Sequence, residues 1–155
     1  WTNNINVNLI GTYYTIYSFY KLLNKSKIIC FSGGGSTSSR PNFSSYGVAK
    51  TGILRLVEIL SDEFNSNIEI NAIAPGAIYT NMTKQVLSNS ELAGKKEWES
   101  ANKLSKDNDG KIEKVIELIE FLISTLEKLT LLISSAYTKV FESGIVFKPN
   151  LILEL

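Results

Sequence analysis

Histidine is absent from this 155-residue sequence, cysteine occurs once, and the basic residues are almost all lysine, with arginine only at Arg40 and Arg55. The missing imidazole removes Ser-His and Cys-His nucleophiles, histidine general bases and every His-ligated metal site. A catalytic base must then be Tyr, Lys, Asp or Glu. Cys30 has no second thiol with which to form an internal disulfide or a thiolate zinc site, so the cytoplasm is the expected compartment. Charge of one sign is also lacking: 16 Lys plus Arg against 15 Asp plus Glu leave a formal net charge of +1. Such a balance gathers neither nucleic acid nor anionic lipid, and so few arginines leave little scope for bidentate phosphate or base recognition. No apolar run approaches the roughly 18 residues of a membrane span, and no basic leader with an apolar stretch opens the chain. The expected partners therefore include no nucleic acid and no membrane.

What is present suits a soluble α/β chain. With 44% hydrophobic residues, the length supports one core and not two. From Asn4 to Leu23, Ile5, Leu9, Tyr13, Ile16, Tyr20 and Leu23 recur at helical spacing. Lys27 to Ser32 is a short apolar run stopped by Gly33, Gly34 and Gly35, which predicts a buried strand. After a serine-rich loop containing Pro41, Ser44 or Ser45 is expected to cap a helix through Phe64 whose inner face carries Val48, Ile53, Val57, Leu60 and Phe64. Ile68 to Ala74 reads as a second strand, ended by Pro75-Gly76. Strand, helix, strand implies a parallel pair joined by a crossover, hence a sheet covered by helices. Thr83 to Lys111 is polar and reads as a lid or loop with weak helical character. Ile112 to Ile123 restores a helix, Leu129 to Ala136 a last strand, and residues 138–155 form a tail of undefined type.

The sharpest chemical feature is Tyr46-Gly47-Val48-Ala49-Lys50, because a separation of four puts Tyr46 and Lys50 on one helix face. A tyrosine near its free pKa of about 10 is a poor acid or base at neutral pH, whereas a nearby ammonium is expected to lower that value. The bland alternative is a surface pair that happens to be four apart. Gly33 to Gly35 reads locally as a flexible turn, without the GxxxxGK[ST] pattern of a P-loop. Cys30, inside an apolar strand, reads as inert core.

Asn8 within NVNLIGTY, the strand KIICFSGGG, YGVAK and NAIAPGAIYT occur in the order and spacing of the short-chain dehydrogenase/reductase (SDR) family, which the chain resembles strongly over residues 1–82. The resemblance returns more weakly in the helix from Ile112 and in LTLLISSA. It implies a Rossmann-like, doubly wound parallel sheet of which this chain holds the last three strands with their helices. It also implies an oxidoreductase that interconverts a carbonyl and an alcohol on a small or carrier-bound substrate, with NAD or NADP as cofactor. Tyr46 matches the family's acid/base. Lys50 matches the lysine that lowers the tyrosine pKa and holds the nicotinamide ribose, and Asn8 the asparagine that holds a water of the proton relay where its helix is interrupted. Pro75 and Gly76 match the turn over the nicotinamide, and Thr80 the hydroxyl that contacts its carboxamide. The family's serine, thirteen positions before the tyrosine, is replaced here by Gly33. Ser32 is its expected counterpart, with Ser36, just past the glycines beside Thr37, as a physical substitute.

The family's opening strand and TGxxxGxG turn, which receive the cofactor pyrophosphate, do not precede Trp1. The expectation is thus a partial domain, starting inside a helix, that binds dinucleotide weakly by itself. In the intact family the first two helices build a dimer contact, so a homo-oligomer is expected and the stripe Tyr13, Tyr14, Tyr17 and Tyr20 reads as either interface or core. A rival reading is a non-catalytic remnant or dimerisation module. An epimerase or dehydratase of the extended type also uses YxxxK, but NAIAPGAIYT fits the reductases better.

Overall fold

The computed structural model describes residues 1–64, 67–106, 111–124 and the backbone of 147–148. The strand expected at Leu129 to Ala136 lies outside the described residues, as does most of the tail. The first helix, α1 (residues 2–19), is α-helical at Thr2–Ile5 and Gly11–Phe19, with a π turn at Asn6–Ile10 between them. A single 3₁₀ turn, Tyr20–Leu22, follows. Strand β1 (Ser26–Phe31) leads through a 3₁₀ turn at Gly34–Ser36 to α2 (Ser44–Glu63), and β2 (Ile68–Ile73) follows. β1 and β2 are parallel, with Ile28 opposite Ile70 and Cys30 opposite Ala72, so the predicted βαβ unit is present.

The pleat sends alternate residues to opposite faces, and both faces are covered. On one, Cys30, Ile70 and Ala72 meet Ile16 of α1 and Ile53, Val57 and Leu60 of α2, with Leu9 and Ile28 packed alongside. On the other, Ile73 and Ile29 meet Val115, Leu118, Ile119 and Leu122 of α6 (Lys111–Ser124). Helices on both faces of a parallel pair are the arrangement expected of a doubly wound sheet. The sheet is not parallel throughout, however. A two-residue strand from the tail, β3 (Phe147–Lys148), pairs antiparallel with β2, placing Lys148 opposite Ala72.

The polar segment expected to be a lid or loop with weak helical character is mainly helical: α3 (Asn81–Ser88), α4 (Ser90–Ala93) and α5 (Lys95–Lys106). Val86, Ala93 and Ala101 form a small core of their own, against which Leu87 and Phe43 pack. α2 also departs in detail from expectation. Its N-cap is Phe43, which makes no side-chain cap bond, rather than a serine. Ala49 is fully buried while Val48 is 52% exposed, so the inner stripe opens one position later than expected and then runs through Ile53, Val57 and Leu60 as the apolar pattern suggests. Tyr13 and Tyr20, expected on the buried face of α1, are exposed along with Tyr14 and Tyr17.

Candidate active site

Tyr46 and Lys50 project from the first turns of α2, beside the carboxyl end of β1. The Lys50 ammonium lies 5.7 Å from the Tyr46 ring centroid, and its Nζ donates to the Phe31 carbonyl at 3.0 Å. The helix can sit this close to the strand because the glycines leave room. A Cβ placed on Gly33 would overlap the Tyr46 hydroxyl, and one on Gly35 would come within 3.4 Å of the Gly47 Cα. The triplet is therefore a packing surface for α2 at Gly33 and Gly35, rather than a flexible turn. Gly34 between them is exposed, and a Cβ there would meet nothing within 4 Å.

Neither serine proposed to replace the missing one has an unengaged hydroxyl. Ser32 is buried and donates to the Lys50 carbonyl at 3.1 Å. Ser36 donates to the Gly33 carbonyl at 2.6 Å. Ser32, two residues on from Cys30, faces α2 as Cys30 does, and past the strand end Gly33 meets the tyrosine hydroxyl of the same helix. Ser32 thus braces the Lys50 turn.

The expected irregularity at Asn8 is the π turn itself. The Asn8 amide donates to the Asn4 carbonyl at 3.1 Å and to Asn4 Oδ1 at 2.7 Å. Widening the helix frees carbonyls from their usual partners, and the Thr12 hydroxyl donates to the Asn8 carbonyl at 2.6 Å. α1 approaches α2 at Gly52, where a Cβ would lie 2.8 Å from Leu9 Cδ2. At the end of β2, Pro75 precedes Gly76, whose φ of 75° is a left-handed conformation that glycine tolerates. Thr80, exposed, is the N-cap of α3, and its backbone N–H donates to Thr83 Oγ1 at 3.2 Å.

The electrostatics correct one expectation. Burial raises the Tyr46 phenol above its ordinary value, against a smaller lowering by the Arg40 guanidinium. Burial lowers the Lys50 ammonium, opposed by Cys30. Lys50 spends a donor on Phe31 and does not bring the net shift of Tyr46 downward. The cation closest to the tyrosine that sequence reasoning missed is Arg40, 5.5 Å from the ring centroid. Its signal was rarity: it is the single arginine in the loop just ahead of Tyr46, in a chain where lysine supplies nearly all positive charge. Among the described residues, no group of three or more His, Cys, Asp or Glu side chains is arranged to hold a metal ion.

A family model described as enoyl-(acyl carrier protein) reductase matches residues 1–131. The chain belongs to the short-chain dehydrogenase/reductase family. It is 35% identical over 102 residues to the 3-oxoacyl-(acyl-carrier-protein) reductase FabG of Chlamydia trachomatis, a match covering 63% of this chain and 40% of that protein. The FabG of Chlamydia pneumoniae is 29% identical over 157 residues, covering 95% of this chain and 57% of its own length. The NADH-dependent L-xylulose reductase of Ambrosiozyma monospora is 33% identical over 95 residues, covering 56% of this chain and 35% of its own length. This SDR chain thus spans well under two thirds of each of these relatives. No solved structure matches it significantly. Among the described residues, no helix is long and apolar enough to cross a membrane.

Proposed function

We propose that this SDR chain carries the proton-transfer side of an NAD- or NADP-dependent oxidoreductase that interconverts a carbonyl and an alcohol in the cytoplasm. The observation that carries the reading is the Tyr46 hydroxyl seated on Gly33 at the carboxyl end of β1, on the same helix face as Lys50. Ligands of open α/β sheets bind beyond the carboxyl ends of their strands. The relatives named for reduction of a 3-oxoacyl carrier protein and of L-xylulose favour a carrier-bound or small substrate.

The residues present fit a nicotinamide. Lys50 and Tyr46 would hold its ribose, while the bare turn at Pro75 and Gly76 and the exposed Thr80 would receive the ring and carboxamide. When bound, the cofactor would supply or accept the hydride. Tyr46, a phenol whose pKa burial raises further, gives its proton to the carbonyl oxygen as the alcohol forms, and takes one back through Lys50 and Asn8. Ser32 holds the Lys50 turn through its bond to the backbone carbonyl.

Tyr46→Phe, which removes only the hydroxyl, tests this in the intact protein supplied with NADH or NADPH and a panel of small ketones and 3-oxoacyl thioesters. Turnover is expected to fall by about 100-fold to 10,000-fold. Near-normal turnover would overturn the assignment.

A further inference from the structure

The loop ahead of Tyr46 is fastened to the helical module α3–α5 by three of four consecutive residues. Arg40 Nη2 donates to Glu97 Oε2 of α5 at 2.7 Å, with both side chains only about one-fifth exposed, at 20% and 21%. Asn42, in a left-handed conformation with φ of 70°, donates from Nδ2 to the Ala93 carbonyl of α4 at 3.3 Å. Phe43 packs into the small core of Val86, Ala93 and Ala101. The Arg40 guanidinium also lies 4.2 Å from the Phe43 ring centroid and 5.5 Å from that of Tyr46. One planar cation thus touches the module, the clasp and the tyrosine at once. A guanidinium can do this because it stacks on rings through its faces while donating through its edge, which a lysine ammonium cannot.

We propose that Arg40 is a positioning residue that clasps α3–α5 onto the segment bearing Tyr46, with Glu97 dividing its charge between the module and the tyrosine. With the clasp closed, the Glu97 carboxylate offsets much of the guanidinium charge and the protonated tyrosine is favoured. When α5 withdraws, the carboxylate leaves and the whole positive charge acts on Tyr46, favouring the phenolate. The position of the module thereby sets how readily the tyrosine gives or takes a proton. Among the described residues, Lys50 of its own helix, bonded to Phe31, also lies against the tyrosine, and Cys30 of β1 acts on Lys50. Neither belongs to the module. The inference rests on the reading of Tyr46 as acid/base only for its effect on rate.

Its direct test needs no turnover. Tyrosinate absorbance is titrated in the parent, Arg40→Gln and Glu97→Gln, each with and without Tyr46→Phe, so that the difference isolates Tyr46 from the other tyrosines. Arg40→Gln is expected to raise the Tyr46 midpoint and Glu97→Gln, which removes a charge and keeps the shape, to lower it. In alcohol oxidation the pH profile of kcat moves the same way, with KM little changed. Unmoved midpoints, or midpoints moved in the same direction by both variants, would sink the proposal. Should Arg40→Gln fail to fold, the sign of the Glu97→Gln shift still decides. Retained turnover in Tyr46→Phe overturns the function and leaves these midpoints as they are, so the two failures are distinguishable.

Discussion

Gly33 replaces a side chain with backbone at the one place where the Tyr46 hydroxyl comes to rest. Its φ of −170° is ordinary extended backbone, so space and not torsion requires the glycine. Gly33→Ala is expected to push the ring aside and cost about 1–3 kcal/mol, as overpacking does. In a Tyr46→Phe background the nearest obstacle is gone and the cost should shrink. Urea unfolding of the four proteins in this cycle measures the difference, and equal costs in both backgrounds would show that the ring yields freely. The pair Tyr46 and Lys50 was legible in the sequence because a helix face repeats every four residues. The contact of Gly33 with Tyr46 was not, because the two lie thirteen positions apart across a 3₁₀ turn and a loop, and no local pattern carries that distance. Ser32 illustrates the same limit: alternation gives its direction, but only the packed helix shows that its hydroxyl finds the Lys50 carbonyl.

At the level of elements, the βαβ unit was readable from short apolar runs and their Pro and Gly stops. The helices of residues 81–106 were not, because their buried positions are few and small: Thr83, Val86, Ala93 and Ala101. A stripe that narrow barely interrupts a polar sequence. On α1, Ile16 and Leu9 pack inward as expected, but Tyr13 and Tyr20, apolar enough to suggest burial, stand exposed with Tyr14 and Tyr17, the Tyr13 and Tyr17 rings stacked at 6.0 Å. α1 is fixed by Ile16 in the core and by its close approach to Gly52 of α2 through Leu9. Gly52→Ala would ordinarily stabilise a helix interior by about 1 kcal/mol. Here the added methyl meets Leu9, so the substitution is expected to be no better than neutral in the parent and stabilising in a Leu9→Ala background. Thermal melts of both pairs check this, and a full gain in the parent would show that Leu9 does not hold the helices at that distance.

Across the whole molecule, the sheet couples the core to pH through Cys30. Burial pushes its thiol from 9.0 up to about 11, with Lys50 opposing. Because the folded value is the higher one, the stability it contributes is complete below pH 9 and is lost as pH rises through about 11. Tyr46, also raised, adds to this alkaline decline, while Lys50, lowered, offsets part of it. Urea midpoints are thus expected to fall between pH 8 and 11, and Cys30→Ala, though weaker at neutral pH for its lost packing, should show a shallower fall. A slope unchanged by the substitution would place the alkaline sensitivity elsewhere. The same helix that bears Tyr46 and Lys50 continues, without a break, into Ile53, Val57 and Leu60 of the core. Unfolding of the core turns of α2 would therefore carry Tyr46 and Lys50 away from the end of β1 together, so the pair is held in place by the same packing that holds the sheet.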